Sequence, residues 1–241
     1  ASIAIARTSQ LDYPCQYFVL PTTCQYSGFP PSVPTFPDID STLYKAQFNR
    51  SQCVKQTINL APCSTYILNN PRNIDLFGLE LKTWNPTPEV PLPLLPILAT
   101  SINLFRLAGD LTLKDLVVES VTRRTCLDTG SPYYQPYVKL ENVELRCPLG
   151  LGGNGQYFIH NSNVTSETPR PFNFIDGAYL EITNSTFSMG SGNLTITLYQ
   201  GSEAKISESR FLRPVFTEHY GAVFLAQQNL FSSSVYIDIN S

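Results

Sequence analysis

No stretch of eighteen apolar residues occurs in the 241-residue chain. The most apolar segment, residues 90–98, is short and holds three prolines, so it cannot cross a bilayer as a helix. Basic blocks are missing too. The formal net charge is −3, and the adjacent pair Arg123-Arg124 reads as a solvated turn. Phosphate binding needs clustered Lys and Arg, so nucleic acid is excluded as a partner. Histidine is reduced to two residues and no C-x-x-C pair exists. That excludes a zinc knuckle or a thioredoxin-type site, and no metal or cofactor is expected. Charged residues are only 15% and there is a single Met, so helix formers are scarce. Val, Ile, Thr, Tyr and Phe are plentiful instead, which is an all-β composition.

What is there repeats. Leu180-Glu181-Ile182-Thr183-Asn184-Ser185-Thr186-Phe187 alternates apolar and polar residues, breaks at Asn184, and resumes at Phe187. Alternation with period 2 marks a half-buried strand, and Asn tolerates the left-handed backbone of a tight corner. The same strand–corner–strand pattern starts at Ala204, Val138, Leu111 and Tyr157. A weaker copy starts at Ile74, and Val235-Tyr236-Ile237-Asp238-Ile239 opens a last one. Its third position falls at Leu76, Leu113, Leu140, Ile159, Ile182, Ile206 and Ile237. Its fifth falls at Gly78, Asp115, Asn142, Asn161, Asn184 and Glu208. A loose period in the twenties belongs to solenoids. Further alternating runs lie upstream at 105–109, 172–177 and 194–201, each ending in a Gly turn. Each coil therefore has about three short strands. The expected fold is a right-handed parallel β-helix over residues 55–241, with Ile182, Ile206, Ile159, Leu140 and Leu113 in one interior ladder. A β-sandwich is the alternative, since its strands also recur every 8–12 residues.

Residues 1–54 carry no template. They form an irregular, Pro-rich arm with Pro30-Pro31, Pro34 and Pro37. Its start, Ser2 to Arg7, alternates again and suits strand addition to a sheet edge. Loops are expected at Trp84 to Pro96, at 121–136 with its tyrosines Tyr133, Tyr134 and Tyr137, and at the Gly-rich run 150–155.

The six cysteines, Cys15, Cys24, Cys53, Cys63, Cys126 and Cys147, imply three disulfides in an oxidising compartment. Of the fifteen possible pairings, near neighbours are favoured: Cys15–Cys24, Cys53–Cys63 and Cys126–Cys147. Four Asn-x-Ser/Thr sequons begin at Asn49, Asn163, Asn184 and Asn193. Corners of a solenoid face solvent, where a glycan fits.

The repeat resembles the pectin-lyase-like superfamily of right-handed β-helices over roughly residues 55–241. It is more similar to non-catalytic surface proteins and adhesins whose coils read Ile-x-Asn-Ser-x-Phe, as at Ile182 to Phe187. The resemblance implies architecture more than activity. Enzymes of that superfamily degrade acidic polysaccharides. Polygalacturonase-like members need three clustered Asp and a Gly-His-Gly turn. Here no two Asp are adjacent and neither His follows a Gly. Pectate-lyase-like members use Asp-bound calcium and an Arg beside Pro. The run Arg210 to Pro214 has the Arg–Pro pair without an acidic cluster, and Arg210 reads as a solvent-facing strand residue. A Ser nucleophile needs a His base. His160 falls in a template strand and His219 in a loop, and no Gly-x-Ser-x-Gly elbow accompanies either. Glu141, Glu181 and Glu208 take outward positions that stacking could align.

The expected protein is an extracellular, non-catalytic structural glycoprotein with covalent N-glycans. Val235 to Ile239 reads as an uncapped strand at one end, and Ser2 to Arg7 as a free arm at the other. An open edge invites association. A contact between unlike surfaces that does not close gives a filament. The assembly residues are Ile3, Ile5, Val235, Ile237 and Ile239, and the partner is another copy, joined head to tail into a surface filament or adhesive fibre. A carbohydrate-active β-helix enzyme and a glycan-binding module are the alternatives.

Overall fold

The computed structural model describes residues 15–49, 51–62, 65–69, 78–85, 95–100, 105–106, 109–120, 125–129, 135–167, 172–174, 177–190, 192–231 and 235–240. They form a right-handed parallel β-helix with three strands per coil. The first sheet stacks Gln16–Val19, Gln56–Leu60, Leu79–Thr83, the starts of Leu111–Ser120 and Tyr137–Arg146, then Gln156–His160, Tyr179–Thr183, Glu203–Ser207 and Val223–Gln227. Past the corner, the second sheet includes Asn163–Ser166, Thr186–Met189, Arg210–Phe211 and Leu230–Phe231. The third closes the coil with Phe172–Phe174, Leu194–Leu198, Val215–Tyr220 and Val235–Asn240.

The corner is where sequence dictates shape. Asp115, Asn142, Asn161, Asn184 and Glu208 all have positive φ, between 47 and 55°. Gln228, at 53°, supplies a sixth corner that the residue pattern did not disclose. Short polar side chains tolerate this region best, which explains the predominance of Asn and Asp. One residue beyond Asn161, Asn184 and Glu208, a serine faces inward. Ser162 accepts from the Val143 N–H, Ser185 from the Ser162 N–H, and Ser209 from the Ser185 N–H, at 3.1–3.2 Å. Asn229 continues the series by accepting from the Ser209 N–H at 2.9 Å. Each hydroxyl also donates to the carbonyl two residues back. The ladder thus satisfies buried backbone donors where the sheet bonds lapse. Ser185→Ala is expected to strand the Ser162 N–H and lower stability by about 1–3 kcal/mol in urea unfolding.

The interior ladder runs Tyr17, Ile58, Leu81, Leu113, Leu140, Ile159, Ile182, Ile206, Ala226. The five residues expected there stand in it. Leu76 lies outside the described residues, and the rung of the Leu79–Thr83 strand is Leu81. Gly78 (φ 72°) precedes that strand and does not form its corner. Ile237 is a correction as well. It pairs with Thr217 in the third sheet, and the ladder ends at Ala226 instead. Alternation is common to all three sheets, so it cannot tell one from another. Beside this ladder, Phe187, Phe211 and Phe231 stack with centroids 5.1 and 5.2 Å apart and planes 12° off parallel.

Described parts of the arm belong to the stack. Gln16–Val19 pairs in parallel with Gln56–Leu60, and Thr35–Phe36 pairs with it on the other side. The helix Ile39–Phe48 packs Ile39, Thr42 and Ala46 against the first coil. Asp38 caps it, accepting from the Ser41 N–H at 2.7 Å. A small second core of Phe18, Phe29 and Ala61, flanked by Tyr26 and Trp84, holds the Pro-rich loop against the outside of the first coils. The Trp84 indole donates to the Gly28 carbonyl at 2.9 Å.

The disulfide pairing needs correction. Cys15 bonds Cys53, not Cys24, and Cys53 is therefore not joined to Cys63. Cys126–Cys147 is as expected. Cys24 is also disulfide-bonded, and Cys63 lies outside the described residues. The Gly-rich run is no free turn either. Leu149–Gly150 is a short strand of a separate three-stranded sheet with Leu127–Asp128 and Phe105–Arg106, and Gly152–Gly153 begins the third sheet. A Cβ at Gly152 would meet the Asn173 carbonyl oxygen at 2.8 Å, so glycine is required there. The core of the Trp84–Pro96 loop, together with Arg123, Arg124, Tyr133 and Tyr134, lies outside the described residues.

Candidate functional site

Outward positions of the first sheet form stacked rows, because parallel strands in register place like positions side by side. The Pro-rich loop covers the first coils, where the outward Phe18 and Asn59 are fully buried. Beyond it the face is open to solvent. One row reads Thr112, Lys139, Phe158, Glu181, Lys205. The next reads Lys114, Glu141, His160, Thr183, Ser207.

Three rings meet on this face. Phe158 lies 5.2 Å from Tyr137 and 5.6 Å from Tyr179, centroid to centroid. His160 stands edge-on to Phe158 at 6.1 Å. The Glu181 carboxylate joins two of their polar ends. It accepts the Tyr179 hydroxyl at 2.7 Å, and its other oxygen lies 2.8 Å from His160 Nε2. These bonds, the Tyr179 one foremost, hold Glu181 below the usual carboxylate range. Burial, with the proton shared towards Glu181, pushes the Tyr179 hydroxyl up. Lys205 sits 5.2 Å over the Tyr179 ring and pairs with Glu203 at 2.9 Å. One row over, Glu141 binds Lys114 at 2.5 Å and Lys139 at 2.6 Å. The two ammonium groups, Lys114 first, take its carboxyl down to about 2.

The register separates the three outward glutamates. Glu141 stands beside His160, Glu181 beside Phe158, and Glu208 occupies a corner. Glu141 and Glu181 are two coils apart in different rows, already committed to cations or to His160. The face can stack against a flat ligand and hydrogen-bond its edges. Among the described residues, no group of three His, Cys, Asp or Glu is placed to hold a metal ion. Arg210 is exposed on its strand, as read from the sequence.

His219 is in no loop. It ends the inward side of Val215–Tyr220, 4% exposed, with its ring edge-on to Phe224 at 5.0 Å. Its Nε2 has no hydrogen-bond partner, and burial pushes its pKa down. The unfolded chain then binds the proton more tightly than the folded one. The stability due to neutral His219 is complete above the unfolded value of about 6.5 and declines as pH falls below it. The thermal midpoint is expected to drop between pH 7.5 and 5.5, and by less in His219→Phe.

The sequons fall in different settings. Asn163 and Asn193 are exposed, Asn163 on the second sheet and Asn193 just before Leu194–Leu198. Asn184 is exposed at its corner, and its amide donates to Asn161 Oδ1 at 2.8 Å. Asn49 caps the helix C-terminus and donates to the Tyr17 hydroxyl at 3.1 Å. Of the assembly residues, Ile3 and Ile5 lie outside the described residues, while Val235, Ile237 and Ile239 belong to the strand Val235–Asn240.

Fold and face together define a parallel β-solenoid with a mixed aromatic and charged outer surface. Compared with protein-family models, curated proteins and solved structures, the chain has no match. No helix among the described residues is long and apolar enough to cross a membrane.

Proposed function

We propose that the chain is an extracellular, non-catalytic structural glycoprotein, a subunit that assembles head to tail into a surface filament or adhesive fibre. Its fold is a divergent form of the pectin-lyase-like β-helix, used as a scaffold. The observation that carries this reading is the contrast between the two ends of the stack. At one, Thr35–Phe36 pairs with Gln16–Val19 and the helix Ile39–Phe48 packs its buried Ile39, Thr42 and Ala46 beside them. The other leaves Phe224 and Phe231 half-buried and Ala226 exposed, where Ala204, Ile206 and Phe211 one coil earlier are buried. Disulfides between stacked strands suit an oxidising, extracellular setting.

Light scattering and negative-stain microscopy test it on the full chain and on a chain lacking residues 1–12. Polymers from the first and monomers from the second are expected. Monomers from both at high concentration would remove the filament. Intact mass before and after deglycosylation is expected to show N-glycans, with exposed Asn163 and Asn193 the best placed acceptors.

The cluster of Tyr137, Phe158 and Tyr179 rings favours a second reading, a glycan-binding module. Aromatic faces stack on sugars, and the flanking carboxylates and amines bond hydroxyls. Phe158→Ala is expected to weaken oligosaccharide binding by about tenfold if this reading holds. Release of unsaturated or reducing ends from acidic polysaccharide with calcium would point instead to an enzyme.

A further inference from the structure

The strand Val223–Gln227 departs from the pattern of every earlier coil. Outward positions beside it carry Glu203 and Lys205, yet its own are Val223 and Leu225. On the second sheet, Thr186 and Arg210 are followed by Leu230. These three apolar side chains are 51, 52 and 55% exposed. Its inward residues, Phe224 and Ala226, are apolar as well. Val223 to Ala226 is thus apolar on both faces, with the polar Gln227 at its end. It also carries none of the devices that discourage strand pairing, since residues 223–227 contain no Pro, Lys or other charge.

A strand suited to such an edge is apolar on both faces itself. Within residues 2–7, Ile3-Ala4-Ile5-Ala6 is such a segment, with Ile on one face and Ala on the other, and Arg7 follows where Gln228 turns the corner. Placed beside Val223–Gln227 in parallel, Ile3 stands next to Phe224 and Ile5 next to Ala226. Ile5 would follow Ile159, Ile182, Ile206 and Ala226 in the interior ladder. Ala4 would then lie against Leu225 on the outer side. At the opposite end the edge of Gln16–Val19 is already paired with Thr35–Phe36, and the helix Ile39–Phe48 packs beside them.

We propose that the edge Val223–Gln227 receives residues 2–7 of a second copy as an added strand. This rests on the self-association reading above, and it names the surfaces that meet. Backbone bonds give the affinity of such a contact, and alternate side chains give its register.

The test mixes two full-length variants, Ile5→Cys and Ala226→Cys, under mild oxidation. Adjacent strand positions are close enough for a disulfide. A covalent heterodimer is expected from the mixture and not from either variant alone. Leu225→Lys, whose half-exposed side chain leaves the fold intact by circular dichroism, is expected to weaken association at least ~10-fold. A synthetic peptide of residues 1–8 in excess is expected to dissolve assemblies. Assemblies that form without the cross-link, and that ignore the peptide and Leu225→Lys, would overturn this interface while leaving self-association standing. Chains that stay monomeric at every concentration would overturn both.

Discussion

Ile182→Asp is expected to unfold most of the molecule at room temperature. Ile182 is fully buried, with Ile159 on one side of it and Ile206 on the other. Aspartate there meets only apolar neighbours, so its carboxylate has neither water nor a partner. Such a buried charge costs more than ~4 kcal/mol, a large part of the stability of an ordinary domain. Ile182→Val keeps the shape and loses one methyl, for about 0.5–1.5 kcal/mol. Urea unfolding of the two variants separates charge from volume. If Ile182→Asp unfolds at nearly the wild-type midpoint, the side chain does not point inward and the interior ladder is wrong.

The second large effect comes from Cys15→Ser with Cys53→Ser. The bond closes a segment of 38 residues. By loop entropy its loss lowers stability by about 4 kcal/mol, against about 3 kcal/mol for the 21-residue Cys126–Cys147 segment. The Cys15–Cys53 bond lies where Gln16–Val19 joins Gln56–Leu60, so its loss also frees the first coil and the helix packed on it. Urea unfolding of the double variant should show a lower midpoint, with an early phase that Cys126→Ser with Cys147→Ser does not reproduce. Equal losses from both pairs would mean that the first coil is held by packing alone.

The fold was legible because one residue per coil has a conformation few side chains accept. Asn142, Asn161 and Asn184 mark corners, and the corner fixes the phase of the alternation on each side. Where that marker is weak, the strand is hard to see. Val223–Gln227 has apolar outward residues and its corner is Gln228, so it does not match the repeat. Val235 to Ile239 matches by alternation alone, although it belongs to the third sheet. The helix Ile39–Phe48 was hidden by composition. Its inward side is only Ile39, Thr42 and Ala46, and its exposed Tyr44 and Phe48 blur any apolar stripe.

The cysteines show what proximity means in a solenoid. Cys126 and Cys147 are near in sequence and also one coil apart. Cys15 and Cys53 are one coil apart too, but that coil is long, so short spacing favours Cys24 instead. On the outer face, alternation places Glu181 outward and His160 in a template strand. It could not join His160 to Glu181, because that contact runs diagonally between coils. The sequence around His219 does not tell a strand from a loop. Only the fold shows His219 turned inward with Phe224 beside it.

The covalent ties are spread unevenly along the axis, and this has a mechanical consequence. The last cysteine is Cys147, and the remaining 94 residues (241 − 147) contain none. Coils in that stretch are held to one another by sheet bonds and stacked side chains. Pulled from its C-terminus, the molecule should unwind like yarn from a spool, one turn per rupture. Each step would release a length set by the spacing between corners. The unwinding should then stop hard at the Cys126–Cys147 bond and proceed past it only in reductant.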